Sequence, residues 1–169
     1  MSSFNTDVLI QKYFDQENIL INHQINSYNY YVDEIIPKII NQYFPVLIHF
    51  NEHIQEDSSI DSIELMVRNL RIREPLLIEN NGCEKLMTPN MARERNSTYL
   101  SSIIVDFVSK IKIKEDDSII ELESKTIQNI VIGKIPIMVK SKYCILNEKN
   151  KEEECKFDLG GYFLINGNH

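Results

Sequence analysis

Two arginines, Arg93 and Arg95, stand on either side of Glu94 in the segment TPNMARERNSTY. A guanidinium group can grip phosphate oxygens through two parallel hydrogen bonds, and such contacts fix the register of a protein on nucleic acid without reading bases. The same arginines could instead form ion pairs inside the chain, with Glu94, Asp106 or a loop carboxylate, because acidic residues are abundant. The pattern predicts a nucleic-acid contact in the first case and a structural role in the second.

Three lysines, Lys134, Lys140 and Lys142, lie in the longest stretch of the chain without an acidic residue. Lysines with this spacing could face a nucleic-acid backbone. Even-numbered positions would share one face of an unbroken strand, but Pro136 lies between the first lysine and the other two. Solvated lysines at a sheet edge, where they discourage pairing with other strands, are the alternative.

The overall charge limits what these basic residues can do. The chain has 18 basic and 25 acidic residues, which gives a net charge of -7. Free-standing nucleic-acid-binding domains are usually strongly basic. Any contact with DNA is therefore expected to be weak and local.

No residue pattern predicts a catalytic residue, a metal site or a cofactor. His49 and His53 have the i, i+4 spacing of helical zinc ligands, but no third ligand is suggested. Cys83, Cys144 and Cys155 lie far apart without a C-x-x-C pair, so reduced thiols are expected. No carboxylate cluster that could hold two metal ions for phosphoryl-type chemistry is visible either.

Length and composition predict a single domain over residues 1–169. The hydrophobic fraction of 43% and the charged fraction of 25% are typical of globular chains. The sequence has no uncharged apolar run of about 18 residues and no signal-peptide pattern at its start. We therefore expect no membrane partner and an intracellular location.

The secondary structure that must position these residues begins with a predicted helix near the N-terminus. Between residues 20 and 40 apolar residues recur every three or four positions, which is the period of one helix face. Pro37 should kink or restart this helix, because proline lacks an amide donor and clashes with the preceding turn. Thr88 could cap a short helix that has Pro89 at its first position.

The rest of the chain is mostly β in pattern. Strands are predicted over 63–72, 75–78 and 100–113, and a closing strand over 160–167, whose first two glycines should supply positive φ. The charged stretch 114–125 is predicted to be a hairpin tip or an insertion. Because no βαβ alternation occurs, we predict an α+β fold with N-terminal helices followed by a mostly antiparallel mixed sheet.

Four segments, in this order, resemble the N-terminal region of the second-largest subunit of eukaryotic, archaeal and viral RNA polymerases. LINHQINSYNYYVDEIIPKII resembles the early helix of that family. TPNMARERNSTYLSSIIVDF resembles its Pro-x-x-Ala-Arg-x-Arg-Asn-x-Thr-Tyr segment. The residues that carry these two resemblances are Gln24, Ser27, Tyr28, Asn29, Pro89, Ala92, Arg93, Arg95, Asn96, Thr98 and Tyr99.

The other two segments lie towards the C-terminus. IVIGKIPIMVKSKYCIL is similar to a Gly-basic-Ile/Leu-Pro-Ile-Met stretch, and CKFDLGGYFLINGN resembles a Cys-x-x-Asp-x-Gly-Gly-Tyr-Phe-Ile-x-Asn-Gly element. Their matching residues are Gly133, Lys134, Pro136, Met138, Ser141, Lys142, Cys144, Cys155, Asp158, Gly160, Gly161, Tyr162, Phe163, Asn166 and Gly167.

The resemblance implies a role in transcription by DNA-directed RNA polymerase, a nucleotidyltransferase. The chain would be the first part of the protrusion, a domain that lines one side of the DNA cleft and is completed by later parts of the subunit. The metal-binding aspartates of such enzymes come chiefly from the largest subunit, so Mg²⁺ is expected only for the whole polymerase and the isolated chain is expected to be inactive. The implied partners are the other polymerase subunits, the rest of the second-largest subunit and, weakly, the DNA template.

The implied location is the nucleus for a cellular source and the cytoplasm or virion for a viral one. Two alternatives stay open: a stand-alone, non-catalytic binding protein derived from the polymerase subunit, or a remnant of a split or truncated gene. The family sequence continues beyond the Asn166-Gly167 element, whereas this chain ends at His169. From that end we expect an uncovered sheet edge and a marginally stable or self-associating chain.

Overall fold

The computed structural model describes residues 6–14, 19–49, 60–115, 118–147, 155 and 157–168. Helices and antiparallel strands are both present, which confirms the α+β prediction. The helices are α1 (Thr6–Phe14), α2 (Ile19–Tyr30), α3 (Ile36–Tyr43) and α4 (Pro89–Glu94). The strands are β1 (Val46–His49), β2 (Ile60–Ile72), β3 (Leu76–Ile78), β4 (Glu84–Leu86), β5 (Leu100–Glu115) and β6 (Ser118–Pro136).

The chain forms two compact units. The first comprises Met1–Tyr31, Glu74–Leu100 and Pro136–His169, and the second comprises Val32–Arg73 and Ser101–Ile135. That residues 1–169 behave as a single domain stays a prediction. No helix in the described part of the chain is long and apolar enough to cross a membrane.

The helical segment predicted over residues 20–40 is present in three consecutive pieces. Helix α2 is followed by a π-helical turn over Tyr31–Ile35, and α3 then begins with Pro37 in its first turn. Proline is tolerated there because the first amides of a helix have no intrahelical acceptor. Helical conformation continues from the π-helical turn through Ile35 into α3, so the expected kink or restart at Pro37 stays a prediction.

Three separate segments meet in the core of the first unit. Tyr99, Ile137 and Leu164 are each 0% exposed. The amide of Tyr99 donates to the carbonyl of Leu164 (3.0 Å), and the amide of Ile137 donates to the carbonyl of Tyr99 (2.9 Å). The chain that follows α4 is in this way tied to the C-terminal segment and to the residues after β6 through main-chain hydrogen bonds.

Helix α4 has the predicted N-terminus. Thr88 is in an extended conformation, its hydroxyl accepts a hydrogen bond from the amide of Met91 (3.3 Å), and Pro89 opens the helix. The Thr88 cap satisfies an amide that would otherwise lack a partner. This places Arg93 in the last turn of α4 and Arg95 just after it.

The second unit is built on a four-stranded sheet with the order β1-β2-β5-β6. Strands β1 and β2, and likewise β2 and β5, pair antiparallel. The central strand β5 has a buried run at Ile103, Ile104 and Val105, because both of its faces are covered. All residues of the edge strand β1 are exposed.

The stretch 114–125 lies where two neighbouring strands meet. Strand β5 ends at Glu115 and β6 begins at Ser118, which agrees with the hairpin alternative and not with an insertion. The prediction of a closing strand was wrong. The closing segment 160–167 is not a regular strand. Gly160 and Gly161 have φ of +77° and +80°, which prevents continuous pleating, and the segment is held instead by single main-chain hydrogen bonds such as Val139 N to Tyr162 O (2.9 Å).

Candidate functional site

The five basic residues singled out in the sequence are divided between the two units. Arg93, Arg95, Lys140 and Lys142 belong to the first unit, whereas Lys134 lies on β6 in the second. Strand β6 ends at Pro136, so the three lysines do not share one strand face. Their role in binding nucleic acid stays a prediction.

Arg93 is held by groups of its own chain. Its Nη2 lies 3.4 Å from Oδ2 of Asp158 and donates to the hydroxyl oxygen of Tyr162. The guanidinium also lies 5.9 Å from the centre of the Tyr162 ring, within range of a cation–π interaction. The loop carboxylate considered as an alternative partner is thus Asp158, in the C-terminal segment.

Asp158 is the centre of a small polar cluster, which we call the Asp158 cluster and which comprises Asp158, Arg93, Lys140, Gly160 and Tyr162. The carboxylate accepts hydrogen bonds from the Gly160 amide (2.8 Å) and from the Tyr162 hydroxyl, and the Asp158 carbonyl accepts one from Nζ of Lys140. The Asp158 cluster links α4 to both C-terminal motif segments.

The electrostatics of the Asp158 cluster favour an ionised carboxylate. Burial alone would raise the pKa of Asp158, but the hydrogen bonds from Tyr162 and Gly160 and the charges of Arg93 and Lys140 hold that pKa below its usual value. Burial and the hydrogen bond to the carboxylate raise the pKa of Tyr162 to about 12, so its hydroxyl remains a donor at neutral pH.

Gly160 and Gly161 give the Asp158 cluster its compact turn. Both have positive φ, as predicted, and a Cβ at Gly160 would lie 2.7 Å from the carbonyl oxygen of Val139. A Cβ at Gly161 would lie 3.2 Å from Ile21 of α2. The turn therefore requires glycine for conformation and also for close approach of the backbone.

Arg95 stands apart from the Asp158 cluster. Its Nη2 lies 3.7 Å from Oε1 of Glu79, and the Arg95 side chain remains 49% exposed. It borders an open cleft of about 680 Å³ that is also lined by residues of β4 and α4. An ion pair this long and this exposed contributes little to stability, so Arg95 is the more available of the two arginines.

The two lysines at the ends of the predicted stretch are exposed. Lys142 has its ammonium 5.5 Å from the centre of the Tyr143 ring, and its amide donates to Oδ1 of Asn29 (3.1 Å). The Lys134 side chain makes no hydrogen bond or ion pair with any residue that the structure describes. Lys140, between them, has φ of +63° and its ammonium bonded to Asp158.

Sequence reasoning missed a buried carboxylate in the second unit. Asp106 on β5 is 4% exposed and accepts hydrogen bonds from Asn69 Nδ2 (2.9 Å), Arg71 Nη2 (3.0 Å) and the amide of Asn129 (2.9 Å). The Asn129 amide bond is the largest reason why the pKa of Asp106 lies below its ordinary value, followed by the Asn69 hydrogen bond. Asn69 and Asn129 both have positive φ, and β2 changes register between Arg68 and Arg71.

A groove of about 600 Å³ lies on the first unit, beside α2; we call it the α2 groove. The exposed side chains of His23, Gln24 and Ser27 border it. Its remaining lining residues are Tyr28, Tyr31, Met138, Gly161 and Phe163. The rings of Tyr28 and Phe163 pack edge to face with centroids 5.5 Å apart.

The described residues contain no group of three or more His, Cys, Asp or Glu side chains placed to hold a metal ion. His53 lies outside them. Cys83, Cys144 and Cys155 are free thiols, of which only Cys144 is buried. The buried thiol lies 3.6 Å from the Tyr99 hydroxyl, which also accepts the amide of Ile145 (3.2 Å).

Residues 19–169 match the family described as the RNA polymerase beta subunit, and the chain belongs to that family. The four motif segments lie within this match, so the family resemblance found in the sequence is confirmed. The chain is 31% identical over 170 residues to DNA-directed RNA polymerase II subunit RPB2 of Eremothecium gossypii, covering 91% of this chain and 14% of that protein.

Plant and archaeal relatives give the same result. Identity is 27% over 168 residues to DNA-directed RNA polymerase II subunit 2 of Arabidopsis thaliana, with 94% of this chain and 14% of the relative covered. It is 31% over 166 residues to DNA-directed RNA polymerase subunit Rpo2N of Methanocaldococcus jannaschii, with 94% of this chain and 30% of the relative covered. This chain thus spans between about a seventh and a third of these relatives.

Proposed function

We propose that this chain is a non-catalytic segment of the second-largest subunit of a DNA-directed RNA polymerase, where it forms part of the protrusion, lines the DNA cleft and takes part in subunit assembly. The observation that carries the proposal is the match of residues 19–169 to the polymerase beta subunit family. The segment acts inside the cell, wherever the polymerase transcribes. Nucleotidyl transfer and its Mg²⁺ belong to the whole enzyme.

The surroundings of two central carboxylates support a structural role. Asp106 and Asp158 each accept at least three hydrogen bonds, counting main-chain and side-chain acceptors, from groups that hold neighbouring segments together. A carboxylate whose lone pairs are used in this way stabilises the fold and has little capacity left for a metal or a proton in transit.

The sheet of the second unit supports a role in assembly. Strand β1 is at the edge of that sheet, and Val46, Leu47 and Ile48 are 38%, 52% and 46% exposed. Edge strands with apolar side chains pair readily with another polypeptide. Further polypeptide of the polymerase would bury this strand.

Lys134 and Lys142 are the residues best placed for a DNA backbone. Both are exposed, whereas Arg93 and Lys140 are engaged in the Asp158 cluster. With a net charge of -7, the chain can add only a few phosphate contacts to those made by the rest of the enzyme. The isolated chain is expected to bind duplex DNA weakly and without sequence preference.

The test is the salt dependence of DNA binding by a polymerase assembled with this chain. Lys134→Gln and Lys142→Gln should each weaken binding and lower the slope of log K against log salt by up to about 0.9, the value for one phosphate contact. Lys12→Gln is the control, because Lys12 is exposed on α1 and precedes the matched region. Unchanged slopes for both variants would refute the DNA-facing role, and failure of the chain to join the polymerase would refute the assembly role.

A further inference from the structure

The surface of α2 differs from the rest of this charged chain. Residues 18–32 contain no Asp, Glu, Lys or Arg, whereas 25% of the whole sequence is charged, so about four such residues would be expected by chance. Most of α2 is nevertheless exposed, including Leu20 and Tyr30. Surfaces depleted in charge and enriched in tyrosine are typical of the cores of protein–protein interfaces.

Three of the four motif segments converge on the α2 groove. The first supplies Gln24, Ser27 and Tyr28, the third supplies Met138, and the fourth supplies Gly161 and Phe163. These segments are distant in sequence. Gln24 and Ser27 are exposed, so packing in the core of this unit does not explain the presence of these two side chains at the groove. The Asp158 cluster and the proposed DNA contacts do not use them either.

The floor of the α2 groove is held firmly. The hydroxyl of Tyr28 donates to the carbonyl of Pro136 (2.9 Å), and burial raises the pKa of this phenol to about 12, so it stays a donor. Gly161 meets α2 so closely that a Cβ there would lie 3.2 Å from Gln24 Oε1. A preformed surface of this kind loses little conformational freedom on binding, and Met138 supplies an adaptable apolar contact.

We infer that the α2 groove is a docking site for an uncharged polypeptide segment of another part of the polymerase assembly, which inserts an aliphatic or aromatic side chain against Tyr31, Met138 and Phe163 and hydrogen-bonds to Gln24 and Ser27. This inference rests on the proposed function. The charge of the groove selects the occupant, because the described residues that line it include no lysine or arginine to hold a phosphate and no carboxylate to hold a cationic segment. Its open side, along an exposed helix, suits a chain that passes over it.

The test introduces a charge of each sign at one position. Ser27→Glu and Ser27→Arg change an exposed residue inside the groove, and Asn26→Glu and Asn26→Arg make the same changes on the adjacent exposed position of α2, which does not line it. Each variant would be co-expressed with a differently tagged wild-type chain and the other polymerase subunits. Mass spectrometry of the purified polymerase then gives the ratio of variant to wild type.

We expect both Ser27 variants to be incorporated roughly tenfold less or worse than wild type, since an unpaired charge buried in an interface costs more than about 1.4 kcal/mol. Both Asn26 variants should match wild type. A gain for Ser27→Arg with a loss for Ser27→Glu would indicate nucleic acid in the groove and overturn the inference, as would Ser27 variants that behave like the Asn26 controls. If the wild-type chain is itself not incorporated into the polymerase, the proposed function is refuted, and the docking inference that rests on it is refuted as well.

Discussion

Replacing Gly160 by alanine should destabilise the chain more than the same change at Gly82 or at Gly133. Gly160 has φ of +77°, and an added Cβ would lie 2.7 Å from the carbonyl oxygen of Val139 and 2.8 Å from Cβ of Lys140. Gly82 has a similar φ of +80° but open space around it. Gly133 has open space and no positive φ. Comparing alanine substitutions at the three glycines therefore separates the cost of backbone strain from the cost of steric overlap.

The expected magnitudes follow from these differences. Alanine at positive φ costs about 1–2 kcal/mol, which is the whole effect expected at Gly82. Steric overlap with backbone adds about 1–3 kcal/mol, so Gly160→Ala should cost about 2–5 kcal/mol. Gly133→Ala should lie within about 1 kcal/mol of wild type, because it removes only freedom of the unfolded chain. For a chain of this length, the Gly160 change corresponds to a fall in Tm of roughly 4–20 °C.

Equilibrium urea unfolding and thermal melts of the full chain, followed by circular dichroism, provide the assay. The free energies of unfolding should rank Gly133→Ala above Gly82→Ala and Gly82→Ala above Gly160→Ala. If Gly160→Ala and Gly82→Ala lose equal stability, the close approach of Val139 is not a constraint and the reasoning is refuted. A destabilising Gly133→Ala would show that β6 is more tightly packed at that point than the structure indicates.

Two further predictions concern buried polar groups. Tyr99→Phe should cost about 1–3 kcal/mol, because the buried amide of Ile145 loses its acceptor, whereas Tyr43→Phe on a 73% exposed side chain should be neutral; chemical denaturation compares the two. The lowered pKa of Asp158 means that its ionised form contributes stability above the unfolded pKa of about 3.9, and that this contribution is lost as the pH falls through the lower folded value. Asp158→Asn should therefore flatten the acid limb of a plot of urea midpoint against pH below about pH 4, and an unchanged limb would contradict the Asp158 cluster.

Local signals in the sequence predicted the elements that depend on local interactions. The Thr88–Pro89 start of α4 follows from the chemistry of a few adjacent residues. Alternation over residues 63–67, resumed at Leu70 and Ile72, predicted β2, and a β-branched composition predicted β5. Family membership was predicted from four ordered motifs and is confirmed.

Failures occurred where distant residues decide the outcome. The charges of residues 114–125 left a hairpin tip and an insertion as alternatives, whereas in β6 their side chains can meet cations across the sheet, as Glu121 does with Lys110 at 3.8 Å. The segment after Gly161 looked like a strand by composition, yet its conformation is set by separate partners near Tyr99 and Val139. Neither pairing leaves a signal in the local pattern.

Asp106 is a buried carboxylate, a residue type that is common in functional sites, but here it stabilises the fold. An aspartate in a β-rich run resembles a misplaced polar residue when only alternation is considered. Two asparagines with positive φ, Asn69 on β2 and Asn129 on β6, turn donors towards it from both sides, and Arg71 contacts Asp106 and Oδ1 of Asn129. Irregularity in the flanking strands is thus what allows the carboxylate to be buried, and only the assembled sheet reveals it.

Contacts within the chain compete with DNA phosphates for the basic side chains, and this competition decides which of them could bind DNA. A phosphate that approaches Arg93 or Lys140 would have to displace contacts to Asp158, and the Gly160 turn depends on the same carboxylate. The basic side chain would gain one contact to phosphate, while the Asp158 cluster would lose several contacts. Phosphate binding there would therefore weaken the fold. The Lys134 side chain requires no exchange with any described residue, so the proposed phosphate contact there would leave the polar clusters intact. In an acidic chain, a basic residue can face the template only where the fold has not already neutralised it.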